Sequence, residues 1–228
     1  MDKRFKVIKE HFERAAKDFD RHFIRFAPGY EEAIEALVCA MPFRKGSRIS
    51  VADLGCGTGN IAAAVLKKYP NARISCIDLS ESMISLAKAK LGGFKNVEFH
   101  AGDLRGYKFT RKYDAVVSSL VLHHFEGKDK ELFYKKVYGC LKKGGVFCNS
   151  DITRGSTAYL QDMYIEKWVE FLLKGCSRAE IKKTLKNHKR EDRPALLMDE
   201  LKTLARAGFR DIDVVYKRYY FSVYGGVK

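Results

Sequence analysis

The stretch VADLGCGTGN, residues 51–60, decides the fold of this chain. It begins as an apolar run interrupted by one acid, Asp53, and continues with Gly55, Gly57 and Gly59. A strand that ends in a glycine-rich turn and leads into a helix is typical of α/β nucleotide-binding units, because glycines let the backbone approach the ligand. The spacing is GxGxG rather than the GxGxxG of dinucleotide-binding loops, which argues against NAD.

The acid in this loop indicates the charge of the ligand. A carboxylate facing a pyrophosphate would be repelled, whereas one facing an α-ammonium group and a sulfonium would be stabilised. The residues therefore favour a ligand that is cationic where NAD is anionic. We expect Asp53 either to contact that ligand, directly or through water, or to hydrogen-bond the loop amides and shape the turn.

Two further acids follow the next two predicted strands. Asp78 ends the strand in ARISCIDLS and follows the glycine loop at about the spacing at which an acid binds ribose hydroxyls. Asp103, in AGDL, follows the third strand, where it could accept the exocyclic amine of adenine. Because the carboxyl ends of parallel strands form the ligand-binding edge of open α/β sheets, we expect these acids to lie close together.

Short β-rich runs alternate with amphipathic segments in the middle of the chain, which predicts consecutive βαβ units in a cofactor-binding core, residues 46–152. A helical arm or lid precedes it in residues 1–45. A helical cap insertion follows in residues 153–192, and a closing helix and strands occupy residues 193–228. We predict one domain over residues 1–228. The arm is expected to have one mostly aromatic face, formed by Phe12, Ala16, Phe19, Phe23 and Phe26.

The stretches VADLGCGTGN, CIDLS, AGDL, YDAVVSSLVLHHF and LKKGGVF resemble the successive motifs of class I S-adenosylmethionine-dependent methyltransferases. The resemblance covers residues 50–152 and extends to AGFRDIDVVYKRYYFSV near the end of the chain. It implies a Rossmann-like α/β fold, with helices on both faces of a seven-stranded mixed sheet of strand order 3-2-1-4-5-7-6. It also implies S-adenosyl-L-methionine as the cofactor and S-adenosyl-L-homocysteine as the product.

By this resemblance, the glycine loop and the end of the second strand hold the central part of the cofactor. Gly55, Cys56 and Gly57 would lie against its methionine part. Asp78 would meet the ribose, and Leu79 beside it would also contact the cofactor.

The third and fourth strands would complete the cofactor site. The resemblance implies that Asp103 and Leu104 contact the adenine. It also implies that Ser118 or Ser119 borders the methionine tail.

The stretch FIRFAPGYEEAI, residues 23–34, is similar to the carboxy-SAM synthase branch of the family, which makes a cofactor used in tRNA wobble-uridine modification. The arm of that branch contributes a tyrosine to the cofactor, and Tyr30 is the matching position. The branch holds the extra carboxylate with an arginine, for which Lys186, Arg190 and Arg193 are the nearby candidates. We place methyl transfer first and carboxy-SAM synthesis second.

His123 and His124 are the candidate catalytic residues. They are the only adjacent histidines and lie just beyond the fourth predicted strand, beside the expected methyl group. A neutral imidazole there could accept the acceptor's proton, and packing at the cofactor's edge is the alternative. No His/Asp cluster is visible in the sequence, so we expect no metal.

The net charge of +15 is the one unusual bulk feature. Either a lysine-rich surface or a polyanionic partner such as RNA explains it. Arg178, Lys182, Lys186 and Arg190 would share one face if their segment is helical. We predict a small-molecule acceptor, leave RNA open as a partner, and expect a monomer or homodimer.

The six cysteines are scattered, which predicts free thiols in a reducing, cytoplasmic compartment. The charged N-terminal segment does not predict a secretory signal, and no apolar stretch is long enough for a membrane span. Two other function classes compete with a methyltransferase. A nicotinamide-dependent oxidoreductase is disfavoured by the GxGxG spacing, and a non-catalytic scaffold that binds S-adenosylmethionine is compatible with the three acids.

Overall fold

A seven-stranded mixed sheet forms the centre of the structure, a computed structural model that describes residues 3–15 and 25–228. The strands are β1 (Ser50–Leu54), β2 (Arg73–Asp78), β3 (Val97–Ala101), β4 (Tyr113–Ser119), β5 (Leu141–Ile152), β6 (Arg210–Arg218) and β7 (Phe221–Val227). Their order across the sheet is 3-2-1-4-5-7-6, which confirms the prediction. Strands β1 to β5 pair in parallel, whereas β7 lies antiparallel between β5 and β6.

Helices cover both faces of the sheet, as expected. The described residues form eight: α1 (Lys3–Ala15), α2 (Tyr30–Cys39), α3 (Asn60–Lys68), α4 (Glu81–Leu91), α5 (Gly127–Cys140), α6 (Ala158–Leu172), α7 (Arg178–Glu191) and α8 (Leu197–Ala207). One apolar core packs α2, α3 and α4 against the sheet, and another packs α1, α5 and α8 against it. No helix in the described ranges is long and apolar enough to cross a membrane.

Strand β1 shows why a ligand can reach only the ends of the central strands. Val51 belongs to the first core and Ala52 to the second, because successive side chains of a strand point to opposite faces. Both residues are fully buried. A parallel sheet covered on both faces leaves its carboxyl edge as the accessible place for a ligand.

The helical cap packs at this carboxyl edge. Trp168 in α6 stacks on Tyr220, with ring centroids 5.8 Å apart, and donates its Nε1–H to the backbone oxygen of Phe26 at 2.8 Å. Ile152, the last residue of β5, lies in the same apolar cluster. The cap therefore binds the segment just before α2 to the end of the sheet.

The arm is described only in part. Phe12 lies in α1 and Phe26 lies just before α2, and both face the same cavity. The other members of the predicted aromatic face, Ala16, Phe19 and Phe23, lie outside the described residues. All six cysteines fall within the described ranges and have free thiols, as predicted.

Ser80 caps the N-terminus of α4. Its Oγ accepts a hydrogen bond from the Met83 backbone N–H at 3.1 Å. Ser80→Ala is expected to lower the free energy of unfolding by about 1 kcal/mol, because the first turn loses one of its hydrogen-bond acceptors. Urea unfolding measures the change. Ser85→Ala, an exposed substitution in the same helix, is the control and should change stability by less than about 0.5 kcal/mol.

Candidate functional site

A cavity of about 550 Å³ lies at the carboxyl ends of β1 to β4. Its volume falls in the range of small-ligand sites. The residues that follow these strands form its floor, and α1, α6 and α7 contribute its walls. Nine of the eleven predicted cofactor residues line it: Tyr30, Gly55, Cys56, Gly57, Asp78, Leu79, Asp103, Leu104 and Ser119.

Asp53 and Ser118 are the two predicted cofactor residues that do not line the cavity. Both are fully buried behind it. Ser118 Oγ donates a hydrogen bond to the Leu54 backbone oxygen at 2.8 Å, so it joins β4 to β1. Ser119 faces the cavity, and its buried Oγ has no hydrogen-bond partner among the residues that the structure describes. The arrangement favours Ser119 over Ser118 as the residue beside a ligand.

The glycine loop brings its backbone against the cavity. Gly55, Gly57 and Gly59 have φ angles of 70°, 52° and 85°, a left-handed region that side chains disfavour. A Cβ on Gly55 would lie 2.2 Å from Val121 Cγ2. The first glycine is therefore required both by its backbone angle and by the close approach of Val121.

Asp78 joins the loop to the end of β2. Its Oδ2 accepts from the Gly57 N–H and its Oδ1 from the Ser80 N–H, both at 2.8 Å. Burial raises the pKa of Asp78, while these backbone hydrogen bonds oppose the rise. Each carboxylate oxygen has a second lone pair, so the group can accept ribose hydroxyls and still hold the loop.

Asp53 lies behind the glycine loop, at the N-terminus of α3. Its Oδ2 accepts a hydrogen bond from the Ala62 backbone N–H at 3.1 Å. Its Oδ1 is buried without a hydrogen-bond partner in the described part of the chain. Burial raises the pKa of Asp53 to about 7. Of the two roles predicted for this acid, the geometry supports the hydrogen bond that shapes the turn.

The raised pKa predicts how Asp53 affects stability. The folded protein holds an additional proton on Asp53 between pH 3.8, its ordinary pKa, and about pH 7. The contribution of this group to the free energy of unfolding therefore falls by about 2 kcal/mol as the pH rises from about 5 to 7. In Asp53→Asn this loss should disappear, which urea unfolding of both proteins at the two pH values would show. An equal pH dependence in the two proteins would contradict the assignment.

Asp103 is paired with Arg105 at the adenine end predicted for the cavity. Arg105 Nη2 lies 2.7 Å from Asp103 Oδ2, and Nε lies within hydrogen-bond distance of both carboxylate oxygens. Burial alone would raise the pKa of Asp103, but the hydrogen bonds from Arg105 lower it overall. The guanidinium carbon also lies 3.5 Å from the centre of the Phe5 ring, which brings α1 against this end.

Tyr30 begins α2 and also faces the cavity. Its hydroxyl oxygen accepts a hydrogen bond from Asn60 Nδ2 at 3.4 Å. Asn60 opens α3 directly after the glycine loop. This hydrogen bond connects Tyr30 to the residue that directly follows the glycine loop.

His123 and His124 lie in a short 3₁₀ turn after β4 and face the cavity. His123 Nδ1 lies 2.5 Å from Asp151 Oδ1, and its backbone N–H donates to Asp151 Oδ2 at 3.1 Å. Burial lowers the pKa of His123, but Asp151 and Asp192 outweigh burial and raise it overall. Burial lowers the pKa of His124 to about 3, and the neighbouring His123 adds to this effect.

Asp192, at the end of α7, was not predicted as a site residue. Its Oδ1 lies 3.6 Å from His123 Nε2 and 3.3 Å from His124 Nδ1. Its Oδ2 lies 2.7 Å from His188 Nδ1. No sequence pattern joins Asp192 to the two histidines, which lie far earlier in the chain. Asp151 gave a weak signal, since it is an acid near the end of an apolar strand.

Residues 51–145 match a protein family described as Methyltransferase domain. The carboxy-S-adenosyl-L-methionine synthase of Nautilia profundicola is 28% identical over 96% of this chain and 95% of that protein. Malonyl-(acyl-carrier protein) O-methyltransferase 1 of Ilyobacter polytropus is 28% identical over 68% of this chain and 55% of that protein. The chain thus spans about half the length of the malonyl-(acyl-carrier protein) methyltransferases it matches.

A solved structure with a similar fold is the DhpI-SAM-HEP complex. It matches with a TM-score of 0.68 and 19% identity, covering 97% of this chain and 96% of that one. The likeness confirms the Rossmann-like fold, which the strand order of the sheet also indicates.

Proposed function

We infer that the chain is a class I S-adenosylmethionine-dependent methyltransferase, and we propose that it transfers a methyl group from S-adenosyl-L-methionine to a small-molecule acceptor. The observation that supports this most strongly is the cavity at the carboxyl edge of the sheet. Nine of the eleven residues predicted to hold the cofactor line it, and so do His123 and His124. One site would thus hold both the cofactor and the acceptor.

The residues of the cavity fit this cofactor chemically. Gly55 has no room for a Cβ, so bare backbone can lie against the methionine part. The buried, unpaired Oγ of Ser119 offers a hydrogen bond to the polar tail. We assign the ribose hydroxyls to Asp78, and the adenine edge to Asp103.

The remaining assignments of the cofactor site stay proposals that rest on position. Gly57 and Cys56 continue the backbone surface of the loop, and Leu79 and Leu104 supply apolar contact beside the two acids. Tyr30 closes the side next to Asn60.

S-adenosyl-L-methionine, when bound, supplies an electrophilic methyl group on a sulfonium sulfur. The chain's own residues need to align the acceptor with that methyl group and exclude water. We propose that the arm in residues 1–45 and the cap in residues 153–192 act as the lid. Phe12 of α1 and Trp168 of α6 both face the cavity, which supports this role.

The general-base role of His123 and His124 stays a prediction. The geometry favours His123, because Asp151 contacts its Nδ1 and leaves its Nε2 directed toward Asp192. His123→Ala should lower turnover far more than it lowers cofactor affinity if the imidazole acts on the acceptor.

Carboxy-SAM synthesis is the second candidate, because the similarity to the Nautilia protein covers 95% of its length. The predicted carboxylate-binding candidates do not support it: Lys186, Arg190 and Arg193 are absent from the cavity lining. Arg193 Nη1 instead donates to backbone oxygens at the end of α7, including that of Asp192 at 2.6 Å. Mass spectrometry of the ligand that copurifies with the protein separates the two, since a cofactor heavier by one carboxylate would overturn our order.

RNA remains the alternative acceptor, since α7 carries the basic residues Arg178, Lys182, Lys186 and Arg190. A tRNA-modifying enzyme should lose RNA affinity steeply as salt concentration rises. A shallow salt dependence, or no binding, would leave these side chains as a solvated helix face.

The test of methyl transfer uses cofactor labelled with a trideuteromethyl group. The protein is incubated with this cofactor and a metabolite extract, and S-adenosyl-L-homocysteine and labelled products are measured by mass spectrometry. We expect S-adenosyl-L-homocysteine and one labelled small molecule. Cofactor binding without any turnover would favour the non-catalytic scaffold.

A further inference from the structure

We propose that His123, His124 and Asp192 bind one divalent transition-metal ion at the end of the cavity formed by the 3₁₀ turn and α7. One potential ligand atom of each residue lies within 4.8 Å of the other two. This differs from the sequence-based expectation of no metal, because the cluster forms only in the folded chain. The site goes beyond methyl transfer, and its occupancy can be measured without cofactor or acceptor.

The spacing of the ligand atoms matches that of groups sharing one ion. Ligands about 2.1 Å from an ion, at angles of about 90 to 110°, lie roughly 3.0 to 3.4 Å apart. Asp192 Oδ1 lies 3.3 Å from His124 Nδ1 and 3.6 Å from His123 Nε2. The first of these distances falls within that range and the second lies just above it, so Asp192 Oδ1 is placed to share an ion with either histidine.

Each of two proposed ligands, His123 and Asp192, is held by a polar side chain on its far side, as metal ligands in proteins commonly are. Asp151 holds His123 through Nδ1, which leaves Nε2 as the coordinating nitrogen. His188 holds the other oxygen of Asp192 at 2.7 Å, and the Tyr220 hydroxyl lies 2.7 Å from His188 Nε2. A carboxylate or other polar partner behind each ligand fixes its orientation and raises its affinity for the ion.

His124 supplies an independent indication that a ligand belongs here. Its side chain is more than nine-tenths buried, its Nδ1 lies 3.3 Å from Asp192 Oδ1, and neither ring nitrogen makes a hydrogen bond of good geometry within the described ranges. A buried imidazole without hydrogen bonds is costly unless another group binds it. It also faces the cavity, so an ion can reach it from there.

The donor set indicates the class of ion. Two imidazoles and one carboxylate suit first-row transition ions such as Zn²⁺ and Fe²⁺, whereas Mg²⁺ and Ca²⁺ prefer oxygen ligands. Two carboxylates, the buried Asp151 and the half-buried Asp192, would balance the charge of such an ion. Three protein ligands leave coordination positions open toward the cavity for water or for an oxygen or nitrogen of the acceptor.

Within the proposed function, this ion would bind and polarise the acceptor beside the methyl group. In the metal-bound protein His123 would be a ligand, and the ion would supply Lewis-acid polarisation of the acceptor's nucleophile. In the metal-free protein His123 keeps the general-base role predicted above. The proposal that the ion binds does not depend on whether methyl transfer takes place in the metal-bound or in the metal-free protein.

The test uses Co²⁺ as the probe on the full chain after treatment with a chelator. Titration is followed by visible absorption. We expect one equivalent to bind with a dissociation constant in the micromolar range or below, with ligand-field bands and no thiolate charge-transfer band. Asp192→Asn and His124→Ala should each weaken binding by at least about 100-fold, the loss expected on removing one of three ligands.

Two control variants test the location. His100→Ala removes a partly exposed histidine on β3, and Cys39→Ser removes an exposed thiol, so both should bind Co²⁺ as wild type does. Titration of each variant with S-adenosyl-L-methionine checks that it is folded. Absence of spectral change in the wild-type protein, a thiolate band, or full binding in Asp192→Asn would overturn the proposal. If a variant fails to fold, the spectrum of the wild-type protein with Co²⁺ still shows whether the metal site exists. If the wild-type protein binds Co²⁺ but not S-adenosyl-L-methionine, that result contradicts only the proposed function.

Discussion

Gly55→Ala is expected to lower the affinity for S-adenosyl-L-methionine by at least about 100-fold. Alanine at a φ of 70° is strained by about 1 to 2 kcal/mol. Its Cβ would also lie 2.2 Å from Val121 Cγ2, and a valine side chain has little rotamer freedom with which to move away. The loop would therefore shift, and the strain and the clash together are expected to cost about 2.8 kcal/mol of binding free energy, which corresponds to a 100-fold lower affinity.

The control for this substitution is Gly46→Ala. Gly46 lies before β1, and an added Cβ there would have no atom within 4 Å. Its cofactor affinity should equal that of wild type. A second variant, Gly55→Ala with Val121→Ala, removes the 2.2 Å contact with Val121 Cγ2 but not the backbone strain, so it should recover part of the affinity. Isothermal titration measures all three, and unchanged binding in Gly55→Ala would show that the loop does not hold the cofactor.

Asp78→Ala is expected to weaken cofactor binding by about 100-fold. The substitution removes the acceptor proposed for the ribose hydroxyls, and hydrogen bonds to charged groups contribute about 1.5 to 3 kcal/mol each. It also leaves the Gly57 and Ser80 amides without the oxygens that now accept from them. The loop and the ribose contact are therefore lost together.

The matched control is Asp114→Ala, which removes an acid from the opposite end of the sheet. Asp114 accepts from Ser50 and pairs with Lys142 at 2.8 Å, and it does not line the cavity. This variant should lose some stability and keep its cofactor affinity. Equal affinity in Asp78→Ala and wild type would refute the ribose role.

The sheet, its order and most of the cavity could be predicted from the sequence. The glycine loop and Asp78 occur in local patterns whose geometry is set by neighbouring residues, so a short stretch specifies them. The strand order 3-2-1-4-5-7-6 came from the resemblance to a known family and not from periodicity. The structure confirms it.

The direction of individual side chains was harder to predict. Ser118 and Ser119 are adjacent on β4, and only the pleat decides which of them faces the cavity. Asp53 turns to the Ala62 amide because α3 begins beside it, and an isolated strand pattern does not indicate that contact. Of the two roles predicted for Asp53, the contact with the Ala62 amide supports the one that shapes the turn, and the ligand charge inferred from this loop stays a prediction.

The polar cluster at the far end of the cavity was not predictable. Asp192 reaches His123 and His124 only because the cap folds back over the carboxyl edge of the sheet. Trp168 of the cap stacks on Tyr220 where this return occurs, and the sequence does not indicate that pairing. A contact between groups so far apart in the chain depends on tertiary structure alone.

Isothermal titration of the full chain with S-adenosyl-L-methionine tests the assignment of the cavity most directly. We expect saturable binding of one equivalent, with a dissociation constant below about 1 mM, the upper range of enzyme affinities for their substrates. Asp78→Ala should strongly reduce this heat, and Asp114→Ala should preserve it. Absence of binding by the wild-type protein up to that concentration would contradict the assignment of the cavity.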